Sequence, residues 1–118
     1  MSRVLIVDDS LLQRKVLSAI VKEEGHEAQT ATNGKEGLDL LLTNPPDCAI
    51  LDMLMPKMEG IEVLEILQTK GVAIPIAVMT ADVQESMKTR CLELGAQHFL
   101  NKPVKPENVR STLKSLLE

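Results

Sequence analysis

Four apolar residues with no polar one among them, Cys48-Ala49-Ile50-Leu51, run into a single carboxylate at Asp52 and then into a loop reaching Gly60. An apolar run without alternation suits a strand covered on both faces, as in a parallel sheet sandwiched between helices. Asp52 then stands at the carboxyl end of that strand.

The same pattern recurs along the chain. Arg3-Val4-Leu5-Ile6-Val7 stops at Asp8-Asp9, Ala73 to Met79 stops at Thr80, and Ala96 to Leu100 stops at Asn101-Lys102-Pro103. Pro75 is tolerated near the start of its strand, where no ladder donor is needed. A weaker, more polar run from His26 to Ala31 belongs at a sheet edge. Between these runs the period changes to that of helices. Ser10 with Gln13, Asn33 with Glu36 and Asp82 with Glu85 have capping-box spacing. Leu12, Val16, Leu17, Ile20 and Val21 form a stripe on the first helix, which Gly25 closes. The second, carrying Leu38, Leu41 and Leu42, stops before Pro45-Pro46. Gly60 to Thr69 is the third, with Ile61, Val63, Leu64, Ile66 and Leu67 to bury. The fourth runs from Asp82 to about Leu94, with Gly95 as its stop. Pro106 opens the last, which continues through Val109, Leu113, Leu116 and Leu117.

Five alternations of strand and helix require crossover connections, hence an α/β, doubly wound sandwich with a five-stranded parallel sheet. A chain of 118 residues supports one such domain, 1–118, with one core. No apolar run approaches the ~20 residues of a membrane span. The amino terminus does not read as a signal peptide, so a cytoplasmic location is expected. A net charge of −4 and a single aromatic residue, Phe99, argue against nucleic acid as the partner. Cys48 and Cys91 read as buried thiols of a reducing compartment.

In open sheets of this class ligands bind beyond the carboxyl ends of the strands. Asp8, Asp9, Asp52, Thr80 and Lys102 therefore converge on one crevice. Any one of them alone would read as a turn former, a cap or a solvated charge; their joint occurrence at successive strand ends is what points to a site. Three carboxylates at close range repel one another, and at least one is protonated unless a cation holds them. An oxygen-only donor set favours Mg²⁺ over zinc. A hydroxyl, an ammonium and a spare carboxylate beside such a cation are the parts needed to move a phosphoryl group, with Asp52 as the nucleophile.

These residues, in this order, resemble the receiver domain of bacterial response regulators over the whole chain. The shared pattern is Asp8-Asp9, Asp52 with Met55-Pro56 and Gly60, Thr80 followed by Ala81, and Lys102-Pro103. The resemblance implies a flavodoxin-like (βα)5 fold with strand order 2-1-3-4-5. It also implies phosphorylation of Asp52 by a sensor histidine kinase, a phosphotransfer protein or acetyl phosphate. Asp9, Asp52 and the carbonyl of Leu54 would ligate Mg²⁺ (Mn²⁺ substituting) directly, and Asp8 through water. A cis Lys102–Pro103 bond is expected as well. Thr80 and Phe99 would act as the switch that changes affinity for a downstream protein target.

On this reading the protein is no enzyme beyond its own phosphorylation and slow self-dephosphorylation, and with no second domain its output is another protein. Phe99 stands where Tyr is commonest, so its inward position is expected to be populated before phosphorylation. Leu54 is expected to shield the acyl phosphate from water, with Asp82 as a counterweight. Met53, Leu54, Met55 and Met58 read as a packed lid. Met87, Arg90, Cys91, Gln97, Phe99, Val104 and Lys105 are candidates for an output face. The alternative is a small Mg²⁺-dependent phosphatase with an aspartate nucleophile. A nucleotide carrier is disfavoured because the first loop holds acids where a phosphate needs backbone amides or Gly.

Overall fold

A computed structural model describes residues 2–55, 57–81 and 84–118. Strands β1 (Arg3–Val7), β2 (Glu27–Ala31), β3 (Cys48–Asp52), β4 (Ile76–Thr80) and β5 (His98–Asn101) alternate with helices α1 (Leu11–Glu23), α2 (Gly34–Thr43), α3 (Gly60–Thr69), α4 (Glu85–Glu93) and α5 (Pro106–Leu116). All strand pairs are parallel, in the order β2-β1-β3-β4-β5, as expected of the flavodoxin-like (βα)5 arrangement.

Every residue of β3 and β4 is buried, because helices cover both faces. Val4, Ile6, Cys48, Ile50, Ala77, Met79 and Leu100 meet α1 and α5 through Leu17, Ile20, Val109 and Leu113. Leu5, Val7, Ala49, Leu51, Ile76 and Val78 meet the other helices through Leu38, Leu41, Val63, Leu64 and Cys91. The residues of β1, β3 and β4 thus alternate between two apolar layers, which is why these sequences show no alternation. β2 is the polar edge strand, with only Ala31 fully buried.

Several expectations need correcting. On α1 only Leu17, Ile20 and Val21 are buried; Leu12 (73%) and Val16 (42%) are exposed, since the sheet covers a narrower stripe than the periodicity suggests. Ser10 accepts from the Gln13 N–H as a cap should, but the Ser10 N–H goes to the Asp8 carboxylate instead of to the Gln13 side chain. A charged acceptor two residues away outcompetes a neutral amide. β4 begins at Ile76 and not at Ala73, just past Pro75, whose carbonyl receives the Ala49 N–H. β5 begins at His98, not Ala96. α4 begins at Glu85 with Gln84 as N-cap, and Asp82 lies outside the described residues, as does Pro56. Cys91 is completely buried and is no part of an outer face. Of the methionine-rich segment, Met53 and Met55 are buried and Met58 packs against the core, but Leu54 is 72% exposed. Among the described residues no helix is long and apolar enough to cross a membrane.

Candidate functional site

The parallel register sets the site. Val7 pairs with Leu51, Asp52 with Met79 and Thr80 with Asn101, so the ends of β1, β3, β4 and β5 are staggered by no more than about two residues. The ladder continues one step further: the Asp8 N–H donates to Ala31, the Met53 N–H to Met79 and the Lys102 N–H to Thr80. The ends of all five strands are thereby held by main-chain bonds before any side chain takes part.

The side chains then meet. One carboxylate oxygen from each of Asp8, Asp9 and Asp52 lies within 4.8 Å of the other two. Asp8 and Asp52 are buried and Asp9 is exposed. Lys102 Nζ is 2.8 Å from Asp52 Oδ1, and the Leu54 N–H donates to the same oxygen at 3.3 Å. The Lys102–Pro103 bond is cis. Thr80 is buried at the end of β4. Phe99, opposite Val78 in the register, is half-buried against the layer that contains Cys91, so it is not turned fully outward.

Burial is the main reason that the Asp8 carboxyl titrates at about 6; the negative charge of Asp52 adds to the rise, while the Ser10 N–H and the Lys102 ammonium oppose it. Oδ1 of Asp8 accepts from Ser10, and Oδ2 is buried with no hydrogen-bond partner among the described residues. A buried acceptor without a donor is costly, and the Asp8 carboxylate stands in a cluster with two others. That is the arrangement a hard divalent cation would relieve. The two thiols stand apart from this chemistry: burial pushes Cys48 up to about 12, the nearby Asp47 contributing less, and burial also raises Cys91.

Three features of the site were not read from the sequence. Arg14, on α1, donates to the Asp8 carbonyl. Gly34 opens α2 so close to the loop after β3 that a Cβ there would stand 2.0 Å from the Met58 carbonyl oxygen. Lys57 in that loop has φ +70°, a left-handed conformation that costs a non-glycine residue about 1–2 kcal/mol. Gly60 was part of the recognised pattern, and its reason is now visible: a Cβ would stand 2.6 Å from the carbonyl oxygen of Asp52.

Residues 4–114 match the family model of the response regulator receiver domain. The response regulator MprA of Mycobacterium sp. strain KMS is 36% identical over 115 residues, covering 98% of this chain and 50% of that protein. The alkaline phosphatase synthesis transcriptional regulatory protein PhoP of Bacillus subtilis is 35% identical, over 98% of this chain and 48% of its own. The chain thus spans about half the length of these curated relatives. Among solved structures, the Vibrio cholerae chemotaxis protein CheY4 superposes with a TM-score of 0.90 at 32% identity, covering 99% of both chains.

Proposed function

This chain belongs to the response regulator receiver domain family of two-component signalling, and we propose that in it Asp52 is the residue that carries the phosphoryl group. The observation that supports this most is the convergence of three carboxylates within 4.8 Å with Lys102 bonded to Asp52 at 2.8 Å. A carboxylate oxygen of Asp52 forms an O–P bond with the donor phosphorus. The N–P bond of a phosphohistidine, or the acyl O–P bond of acetyl phosphate, breaks as it forms. The leaving imidazole takes a proton from solvent; acetate leaves without one.

The donor set fits Mg²⁺, with Mn²⁺ as a substitute. Asp9, Asp52 and the Leu54 carbonyl would hold it, with Asp8 acting through water, and the cation would supply positive charge opposite the phosphoryl oxygens. Lys102 exchanges its bond to the carboxylate for one to the phosphoryl group, and the Thr80 hydroxyl donates to a phosphoryl oxygen. Phe99 follows Thr80 inward, which alters the surface near β5 that a partner protein reads. The donor would be a sensor histidine kinase or a phosphotransfer protein and the readout a downstream protein, all in the cytoplasm. No catalysis beyond self-phosphorylation and slow self-dephosphorylation is proposed. A diffusible-substrate phosphatase is not favoured, since the matching family is one of receivers.

Incubation with acetyl phosphate and Mg²⁺, followed by intact mass, tests this. A gain of one phosphoryl group that disappears in Asp52→Asn and in EDTA is expected; retention of the gain in Asp52→Asn would refute the assignment.

A further inference from the structure

Arg14 stands at the start of α1, and its Nη1 donates to the main-chain carbonyl of Asp8 at 2.8 Å. We propose that Arg14 is a positioning residue that sets the orientation of both acids after β1. The proposal rests on the reading of the acidic cluster as a cation site.

The carbonyl that Arg14 grips belongs to the peptide unit joining Asp8 to Asp9. Rotation of that unit would turn both carboxylates relative to Asp52. On its other side Asp8 is tethered by its own N–H to the Ala31 carbonyl of β2 at 3.1 Å. The tethers come from different elements, so the main chain of Asp8 is clamped from two sides. The Ser10 N–H takes Oδ1 at 2.9 Å. What remains is Oδ2, buried and without a hydrogen-bond partner among the described residues. Every other polar group of Asp8 is committed to orientation, and its carboxylate lies in one cluster with those of Asp9 and Asp52.

Arginine suits this task. Arg14 is half-buried, and its planar fork delivers a charge-assisted donor at fixed geometry where a flexible ammonium would not. The position has a further consequence. A guanidinium beside a divalent cation repels it, so simple electrostatics predicts that removing Arg14 tightens metal binding. Loss of positioning predicts the opposite sign.

The test is direct Mn²⁺ binding to the full chain, read from the loss of free-ion signal in electron paramagnetic resonance titrations. Arg14→Met keeps the apolar stem and removes both charge and donors. Its Mn²⁺ affinity is expected to fall roughly tenfold or more, the range for loss of a group that orients a metal ligand. Arg14→Lys, keeping the charge and a donor but on a flexible ammonium, is expected to recover only part of it. Urea denaturation in EDTA establishes that each variant is folded, and Arg14→Gln replaces the methionine variant if that one is not. Affinity equal to or tighter than wild type in the folded Met or Gln variant overturns the proposal. Asp9→Asn separates the two readings: unchanged Mn²⁺ binding there defeats the cluster itself, whereas loss there with no effect at Arg14 defeats only the positioning.

Discussion

Replacing Asp8 by asparagine should make the metal-free protein more stable while weakening the cation site. Asp8 is almost wholly buried, with 1% of its surface exposed, and its carboxyl titrates at about 6 instead of 3.8, mainly because burial disfavours the charge. Below about pH 4 both the folded and unfolded chains hold the proton and nothing is lost. As pH rises, the unfolded chain ionises first, so folding must keep a proton that water would remove. Above about pH 6 the folded chain carries the charge, and the full penalty applies. A difference of about two units corresponds to roughly 3 kcal/mol at pH 8 and about half of that at pH 5. Asparagine keeps an oxygen for the Ser10 N–H and carries no charge. Urea denaturation of both proteins in EDTA at pH 5 and pH 8 should therefore show the variant ahead at both, with the larger lead at pH 8. Adding Mg²⁺ should then stabilise the wild type much more than the variant, since only a ligand that binds the native state shifts the balance. A variant no more stable than wild type at pH 8, or a lead that does not grow between pH 5 and pH 8, would refute the reasoning.

Other perturbations probe the surroundings of the site. Lys57→Gly should raise stability by roughly 0.5 to 1 kcal/mol in urea, because relief of the left-handed strain exceeds the added flexibility of the unfolded chain; a loss of stability would count against strain at Lys57. Leu54→Ala should shorten the lifetime of phosphorylated Asp52, measured by mass after donor removal, if the exposed leucine shields the acyl phosphate from water; a longer lifetime would dismiss that role. Cys48 and Cys91 should resist iodoacetamide at pH 8 until the protein is unfolded, because burial raises both thiols; rapid labelling of the native protein at either position would contradict this. Since Cys48 rises to about 12 from 9.0, the unfolded chain ionises first above pH 9, and the native state should lose stability from there upward.

The strand ends were legible because their signal is chemical and local: an apolar run that stops at a carboxylate, a hydroxyl or an ammonium says where the strand finishes and what it presents. The parallel sheet followed from the absence of alternation in Cys48–Leu51 and Val4–Val7, and the register of Val7 with Leu51 brings Asp8 level with Asp52. The exposure of Leu12 and Val16 was not legible, since helical periodicity marks a stripe without saying how wide a surface will cover it. Arg14 and Gly34 escaped for a different reason. Each acts on the main chain of another element, Arg14 on the Asp8 carbonyl and Gly34 by allowing the Met58 carbonyl to approach where a methyl group would otherwise be.

Main-chain partners leave no trace in residue type, because every position offers the same carbonyl. The acids that do the chemistry can be named from the sequence, whereas the residues that aim them emerge only once the fold has placed one segment beside another. For Gly34 this has a definite meaning. The loop following Asp52 is pinned at both ends by glycines, Gly60 against the carbonyl of Asp52 and Gly34 against that of Met58, so α2 and α3 both set its path. A methyl group at either position cannot be relieved by a side-chain rotation, since the atom in its way is backbone. The position of α2 is thereby tied to the geometry of the loop that carries Leu54.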